Sequence, residues 1–156
     1  MISKQKKIGL VGVGRMGANM ARNLKDKGYH ISCVNDVDRD TAGALAEELG
    51  CNHASTLTEV TAKSDIILTV VTNDAAMEAI FFDSDDNLFK EAAGKLFINC
   101  ATLSPAMHIK LEQKAAEVNA QTLEGCMASS ITQAREGTLY LMIGGKHEVF
   151  ESAKDL

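Results

Sequence analysis

The sequence has no tryptophan, one proline and only 4% aromatic residues, and it has no apolar run long enough to cross a bilayer. Its formal net charge is −5, so it lacks the basic field that attracts nucleic acid or anionic lipid. The N-terminal MISKQKKIGLVGVG starts with basic residues, but glycines interrupt its apolar part, unlike a secretory signal peptide. We expect a cytoplasmic protein that binds neither nucleic acid nor membranes.

The four cysteines and four histidines show no spacing that indicates a metal site. No two cysteines form a C-x-x-C pair, and no histidine lies beside a cysteine at ligand spacing, so we expect no bound metal. Cys33 and Cys100 lie in apolar segments that are typical of strands. There a free cysteine acts as a small hydrophobic side chain in a reducing compartment.

The chain has 156 residues, of which 46% are hydrophobic, and this is enough for one domain with its own core. Short apolar runs alternate with segments whose apolar residues have helical spacing. Strands are predicted at residues 7–11, 30–35, 52–54, 65–71 and 95–100, the fourth being the centre of the sheet. Helices are predicted at residues 16–27, 39–49, 57–62, 74–82 and 104–118.

The last third of the sequence has a weaker pattern. We predict an acidic loop at residues 83–87, a strand at 121–124 and a polar loop that extends to Gly137. A strand at 138–143 and a terminal helix at 147–156 follow. Alternating strands and helices favour a mainly parallel α/β sheet, with helices on both faces and right-handed crossovers.

Three glycines, Gly12, Gly14 and Gly17, match G-x-G-x-x-G between the first strand and the first helix. The first permits a tight turn, the second lets a pyrophosphate approach the backbone, and the third lets the helix pack closely on the strand. The helix N-terminus then offers unpaired N–H groups to an anion. This context predicts a doubly wound, Rossmann-type dinucleotide-binding fold. The alternative is a glycine-rich turn without a ligand.

Asn35 and Asp36 end the second strand, about 20 residues beyond the glycines, where this fold reads the adenosine ribose. A carboxylate accepts hydrogen bonds from ribose hydroxyls and repels a 2′-phosphate, so NAD is favoured. NADP remains the alternative cofactor, because Asn35 carries no negative charge and the nearby Arg39 carries a positive charge. The two residues could instead form only a turn that caps the next helix.

Two further loops follow the carboxyl ends of predicted strands and should line the nicotinamide side of the site. Val71, Thr72 and Asn73 follow the fourth strand, and Thr102 follows the fifth. Helix capping is the alternative role for Thr72 and Asn73.

The sequence resembles the β-hydroxyacid dehydrogenases, which include 3-hydroxyisobutyrate dehydrogenases, tartronate semialdehyde reductases and, more distantly, 6-phosphogluconate dehydrogenases. The stretches that match are GLVGVGRMGANMARNL (9–24), SDIILTVVTND (64–74), INCATLSP (98–105) and LEGCMASSITQAREGTLYLMIGG (123–145). The resemblance implies that Val13, Arg15 and Met16 surround the pyrophosphate and that Asn35 and Asp36 contact the adenosine ribose. It also implies that Val71 and Thr72 flank the cofactor and that Thr102 contacts the nicotinamide ribose. Ser129, Ser130 and Gln133 would bind the acidic group of a small substrate.

The chain departs from the family pattern at two places. The family usually reads Asp-Ala-Pro-Val-Ser-Gly where residues 124–129 read EGCMAS, so Ala128 replaces the substrate-binding serine. Ser129, Ser130 or backbone N–H groups could hold the substrate instead, or the segment could be only a structural loop. The family's catalytic lysine and the asparagine after it, which lie at the start of a helical second domain, have no match, so no catalytic residue is assigned.

The resemblance implies hydride transfer between nicotinamide and a short β-hydroxyacid or its aldehyde. Residues 1–156 would be the dinucleotide-binding domain of a longer enzyme or a natural truncation. A full-length enzyme is expected to form a homo-oligomer through the second domain. The alternatives are a stand-alone module that senses NAD(H) without catalysis and an interaction protein that uses this fold without a ligand.

Overall fold

The computed structural model describes residues 4–82 and 85–156. Within these residues a seven-stranded sheet has the order β3-β2-β1-β4-β5-β6-β7. All neighbouring strands are parallel except β6 and β7, which are antiparallel. The strands are β1 (Lys7–Val11), β2 (His30–Asn35), β3 (Asn52–His53), β4 (Ile66–Thr69), β5 (Leu96–Asn99), β6 (Gln121–Met127) and β7 (Leu141–Gly145).

Helices cover both faces of the sheet, each over its own apolar cluster. One cluster takes Leu10 and Leu68 from the sheet and the other takes Ile67 and Phe97, because neighbouring strand residues point to opposite faces. The helices on the first face are α1 (Arg15–Asp26), α2 (Arg39–Leu49), α6 (Ile131–Glu136) and α7 (His147–Ala153). Those on the second are α3 (Leu57–Lys63), α4 (Asp74–Phe81) and α5 (Pro105–Glu117).

This architecture confirms the predicted doubly wound, mainly parallel sheet. β4 is its central strand, as predicted. Cys33 is buried within β2, whereas Cys100 is buried one residue beyond the end of β5. Residues 83 and 84 of the predicted acidic loop lie outside the described residues. In the part of the chain that the structure describes, no helix is long and apolar enough to span a membrane.

The predicted polar loop before Gly137 is wrong in two respects. Strand β6 continues to Met127, because it pairs with β7 up to the contact between Met127 and Leu141. Helix α6 then occupies residues 131–136 and ends at Gly137, whose φ of 72° is the left-handed conformation of a helix terminus. β7 also begins later than predicted, at Leu141, and includes both following glycines.

Candidate functional site

A cavity of about 560 Å³ lies where the chain order of the sheet reverses, between β1 and β4. In open α/β sheets, ligands bind in the crevice at the carboxyl ends of the strands at such a point. The cavity wall includes six of the predicted site residues, which come from the loops after β1, β2 and β4: Gly12, Gly14, Asn35, Asp36, Val71 and Thr72.

The three glycines of the loop between β1 and α1 have different reasons to lack a side chain. A Cβ at Gly12 would lie 2.3 Å from the carbonyl oxygen of Val70, and Gly12 also has a φ of 86°. A Cβ at Gly17 would lie 2.0 Å from the carbonyl oxygen of Gly12. A Cβ at Gly14 would meet nothing within 4 Å. The protein itself therefore needs Gly12 and Gly17, whereas Gly14 leaves open space at the cavity.

The N-terminus of α1 faces this space without a side-chain cap. Its N-cap is Gly14, and its first turn holds no acidic residue. The first N–H groups of a helix have no partner within the helix, so those of Arg15, Met16 and Gly17 are suited to an anion. In contrast, α2 to α6 all have side-chain caps, from Asp38, Thr56, Asn73, Ser104 and Ser130.

The end of β2 is held against the glycine loop by hydrogen bonds. The N–H of Val13 donates to Oδ2 of Asp36 at 2.7 Å, and the N–H of Asp38 donates to Oδ1 at 3.0 Å. The N–H of Gly12 donates to the carbonyl oxygen of Asn35, whose side-chain amide donates to Ala54. Val13 is fully buried and its N–H is taken, so Asn35 and Asp36 are the polar residues that this junction contributes to the cavity wall, and Asp36 is the charged one.

The other predicted cofactor residues lie in different environments. Arg15 is exposed in the first turn of α1, and Met16 is half-buried against the core. The side-chain oxygen of Asn73 accepts the N–H of Ala76 at 2.9 Å and so caps α4, which is the predicted alternative to a cofactor-binding role. Thr102 is exposed on the loop after β5 and is not part of the cavity wall.

Several residues of the cavity wall were not predicted from the sequence. Val37, next to Asp36, is 99% exposed, which is unusual for a large apolar side chain. Leu57 and Ile80 add apolar surface from α3 and α4, and Arg39 adds a positive charge. An apolar residue directly after the predicted ribose carboxylate was the only sequence signal for Val37.

The three residues predicted to bind substrate form local structure around α6. The hydroxyl of Ser130 accepts the N–H of Gln133 at 3.4 Å, and the side-chain oxygen of Gln133 accepts the N–H of Ser130 at 2.8 Å. This reciprocal pair is a capping box. The hydroxyl of Ser129 accepts the N–H of Tyr140 at 2.8 Å. None of the three lines the cavity at the glycine loop.

A second group of chemically reactive side chains lies where α5 meets β6. His108, Glu124 and Cys126 place one nitrogen, one oxygen and one sulfur atom within 4.8 Å of one another. The thiol of Cys126 donates to Oε1 of Glu124 at 3.0 Å. Burial, and then the hydrogen bond and charge of Glu124, raise the pKa of Cys126 to about 11. Linear spacing along the chain does not indicate this group, because its members are brought together only by the packing of α5 against β6.

Two curated proteins illustrate what the chain is similar to. A NAD-dependent L-serine dehydrogenase from Pseudomonas aeruginosa is 29% identical over 151 residues, which are 97% of this chain and 50% of that protein. A 2-hydroxy-3-oxopropionate reductase from Escherichia coli is 31% identical over 153 residues, which are 96% of this chain and 50% of that protein. The chain thus spans about half the length of the curated relatives it matches.

Solved structures agree with the fold. A 3-hydroxyisobutyrate dehydrogenase from Mycobacterium tuberculosis with L-serine has a TM-score of 0.86 at 22% identity, over 97% of this chain and 50% of that one. An imine reductase variant from Myxococcus stipitatus with NAD+ has a TM-score of 0.87 at 22% identity, with the same coverage.

The family described as the NAD-binding domain of 6-phosphogluconate dehydrogenase matches residues 7–156, nearly the whole chain. This match confirms the predicted family resemblance and the predicted NAD cofactor. The chain belongs to the family of the NAD-binding domain of 6-phosphogluconate dehydrogenase.

Proposed function

We propose that the chain binds the cofactor in an oxidoreductase that transfers a hydride between nicotinamide and a short β-hydroxyacid or its aldehyde, with NAD favoured over NADP. The observation that carries the proposal is the cavity between β1 and β4, which joins the open space at Gly14 to the carboxylate of Asp36. An anion-binding helix end beside a ribose-binding carboxylate is the arrangement that a dinucleotide requires.

The residues present suit the pyrophosphate and the adenosine half of the cofactor. The pyrophosphate would lie at Gly14 and the uncapped first turn of α1, where the N–H groups of Arg15 and Met16 are available. Asp36 accepts two backbone N–H groups, and a carboxylate has lone pairs for further donors, so it can also accept ribose hydroxyls. Val37 would cover the adenine, and Val71 and Thr72 would flank the rest of the cofactor.

The nicotinamide cofactor supplies the hydride chemistry, and the protein orients the reactants and excludes water. The resemblance implies that a lysine in a helical second domain acts as general acid or base. We propose that this domain lies outside the 156 residues, in keeping with relatives about twice as long as the matched region. Tyr140 and the first residues of β7, Leu141, Met142 and Ile143, are exposed and form an apolar surface that such a domain would cover.

The substrate would be a small acid held near the carboxyl end of β6, and the homo-oligomer would form through the second domain. Ser129 and Ser130 use their hydroxyl oxygens as acceptors, and a hydroxyl can still donate its proton to a carboxylate. Ala128 offers no hydroxyl where the family has its serine. The names of the relatives suggest L-serine, 2-hydroxy-3-oxopropionate and 3-hydroxyisobutyrate as test substrates.

Calorimetric titration of the chain with NADH and NADPH tests cofactor binding, and absorbance assays with the three substrates test catalysis. We expect NADH to bind more tightly than NADPH, with almost no turnover. Tighter NADPH binding would contradict the role of Asp36, and no heat with either would leave the ligand-free alternative. Turnover at a typical dehydrogenase rate, about 1–1000 per second, would contradict the need for the lysine.

The reading frame downstream of Leu156 separates the enzyme from the sensing module. A long helix with a lysine and an asparagine shortly after it would support the enzyme. A stop codon at that point, together with NADH binding, would support a module that senses the cofactor without catalysis.

A further inference from the structure

The donor atoms of His108, Glu124 and Cys126 come from two elements that pack together. His108 lies in α5, and Glu124 and Cys126 lie in β6. Strand residues two apart project from the same face, which is why Glu124 and Cys126 both meet His108. The group lies beside the loop after β5, because the Cys126 sulfur is 3.6 Å from the carbonyl oxygen of Ala101.

The imidazole of His108 is the first indication that this group has a ligand. Its side chain is 11% exposed, and its Nε2 atom is buried without a hydrogen-bond partner among the described residues. Nε2 lies 3.4 Å from Oε1 of Glu124, an ion-pair distance when the imidazole is protonated, but the two atoms do not have the geometry of a hydrogen bond. A buried polar atom without a partner is costly, and almost all such atoms in folded proteins are paired.

The distances within the group are the second indication. Tetrahedral zinc with ordinary bond lengths separates a nitrogen from an oxygen ligand by ~3.4 Å and a sulfur from an oxygen ligand by ~3.6 Å. The separation of Nε2 from Oε1 is 3.4 Å, and that of Sγ from Oε1 is 3.0 Å. The Nε2–Oε1 separation already matches that of a zinc site, whereas the sulfur must move away from Oε1 by roughly half an ångström once its hydrogen bond to Glu124 is broken. All three donor atoms lie within 4.8 Å of one another, so adjustments of side-chain rotamers are enough to bring them around one ion.

We propose that His108, Glu124 and Cys126 form a binding site for a zinc-like divalent transition-metal ion. Mixed nitrogen, oxygen and sulfur donors suit Zn²⁺ or Co²⁺ and not Mg²⁺ or Ca²⁺, which take oxygen ligands. The ion bonds to the Cys126 sulfur, and the thiol proton that it displaces goes to solvent. A neighbouring cavity of about 210 Å³, which His108 and Glu124 help to line, gives access and room for a solvent molecule as fourth ligand.

Such an ion would join α5, which carries His108, to β6, which carries Glu124 and Cys126. Because binding occurs only where the fold brings the three ligands together, the ion would stabilise the folded state.

Titration of the chelator-treated chain with Co²⁺ tests the proposal, because a cobalt thiolate has a charge-transfer absorption band in the near ultraviolet. We expect the band to saturate at one equivalent of Co²⁺ and to disappear when Zn²⁺ is added. Zn²⁺ should also raise the unfolding temperature. No band at stoichiometric Co²⁺, or saturation at a higher ratio, would overturn the proposal.

Single substitutions assign the ligands. Cys126→Ser should abolish the band and the effect of Zn²⁺ on the unfolding temperature, and His108→Gln should weaken cobalt binding at least about tenfold. Cys51→Ser is the matched control, since Cys51 lies before β3 and should leave the band unchanged. A band that survives Cys126→Ser or is lost in Cys51→Ser would overturn the assignment. If Cys126→Ser does not fold, His108→Gln and the wild-type titration still decide.

Discussion

The N–H of Val13 donates to the Asp36 carboxylate at 2.7 Å, and this hydrogen bond ties the glycine loop to the end of β2. The same carboxylate is the group expected to meet the cofactor's ribose. A charge-assisted bond of this kind holds the side chain in one orientation before a ligand arrives. Asp36 therefore has two roles, since it closes the loop and faces the cavity.

Replacement of Asp36 by asparagine separates these roles. The asparagine oxygen can still accept the N–H of Val13, but the negative charge is gone. We expect Asp36→Asn to bind NADH about tenfold more weakly, because hydrogen bonds to a charged acceptor are stronger than those to a neutral one. The ratio of the NADH affinity to the NADPH affinity should fall, because the negative charge that repels the 2′-phosphate is gone. Calorimetry with both cofactors measures this, and an unchanged ratio of affinities would contradict the assignment.

Two glycines of the same loop should respond differently to substitution. Gly14→Val should abolish NADH binding, because its side chain enters the space assigned to the pyrophosphate. It should lower the unfolding temperature only slightly, because a Cβ there meets no protein atom within 4 Å and the one expected loss is that of glycine as the N-cap of α1. Gly17→Ala should destabilise the chain by roughly 1–3 kcal/mol, the usual range for overpacking, because its Cβ would meet a backbone oxygen.

Calorimetry and thermal unfolding of the two variants check this pair. Each serves as the control for the other, since one should change binding and the other stability. Wild-type NADH affinity in Gly14→Val would show that the three glycines are needed only for the turn between β1 and α1 and not for the approach of the pyrophosphate.

Elements with local end signals were predicted with the bounds that the structure shows. β2 and α2 are examples, because Gly28 precedes the first and Gly50 follows the second. The glycine motif was likewise correctly placed between β1 and α1. Local chemistry decides such features, and it can be read along the chain.

Features that depend on distant partners could not be predicted in the same way. The end of β6 depends on its antiparallel pairing with β7, which no residue of β6 indicates. Helix α6 is too short for a periodic pattern, although Ser130 and Gln133 carry the spacing of its capping box. The grouping of His108 with Glu124 and Cys126 depends on the packing of α5 against the sheet.

The capping box gives a prediction about α6. Ser130→Ala removes the hydroxyl that accepts the N–H of Gln133, and loss of such a cap costs ~1 kcal/mol. We expect chemical denaturation to show this loss, with NADH affinity unchanged, because Ser130 does not line the cavity at the glycine loop. Thr132→Ala is the control, since it removes an exposed hydroxyl from the same helix without removing its cap. Equal stability of the two variants would contradict a capping role.

The last prediction concerns Cys51, whose burial raises its pKa from 9.0 to about 11. In the unfolded chain this thiol ionises near its ordinary value, whereas in the folded chain it stays protonated. Its contribution to stability is therefore complete below about pH 9 and is lost as pH rises toward 11. The free energy of unfolding, measured with urea, should fall less steeply with pH in Cys51→Ser than in the wild type. Other groups titrate equally in both proteins, so parallel pH profiles would show that burial does not hold this thiol protonated.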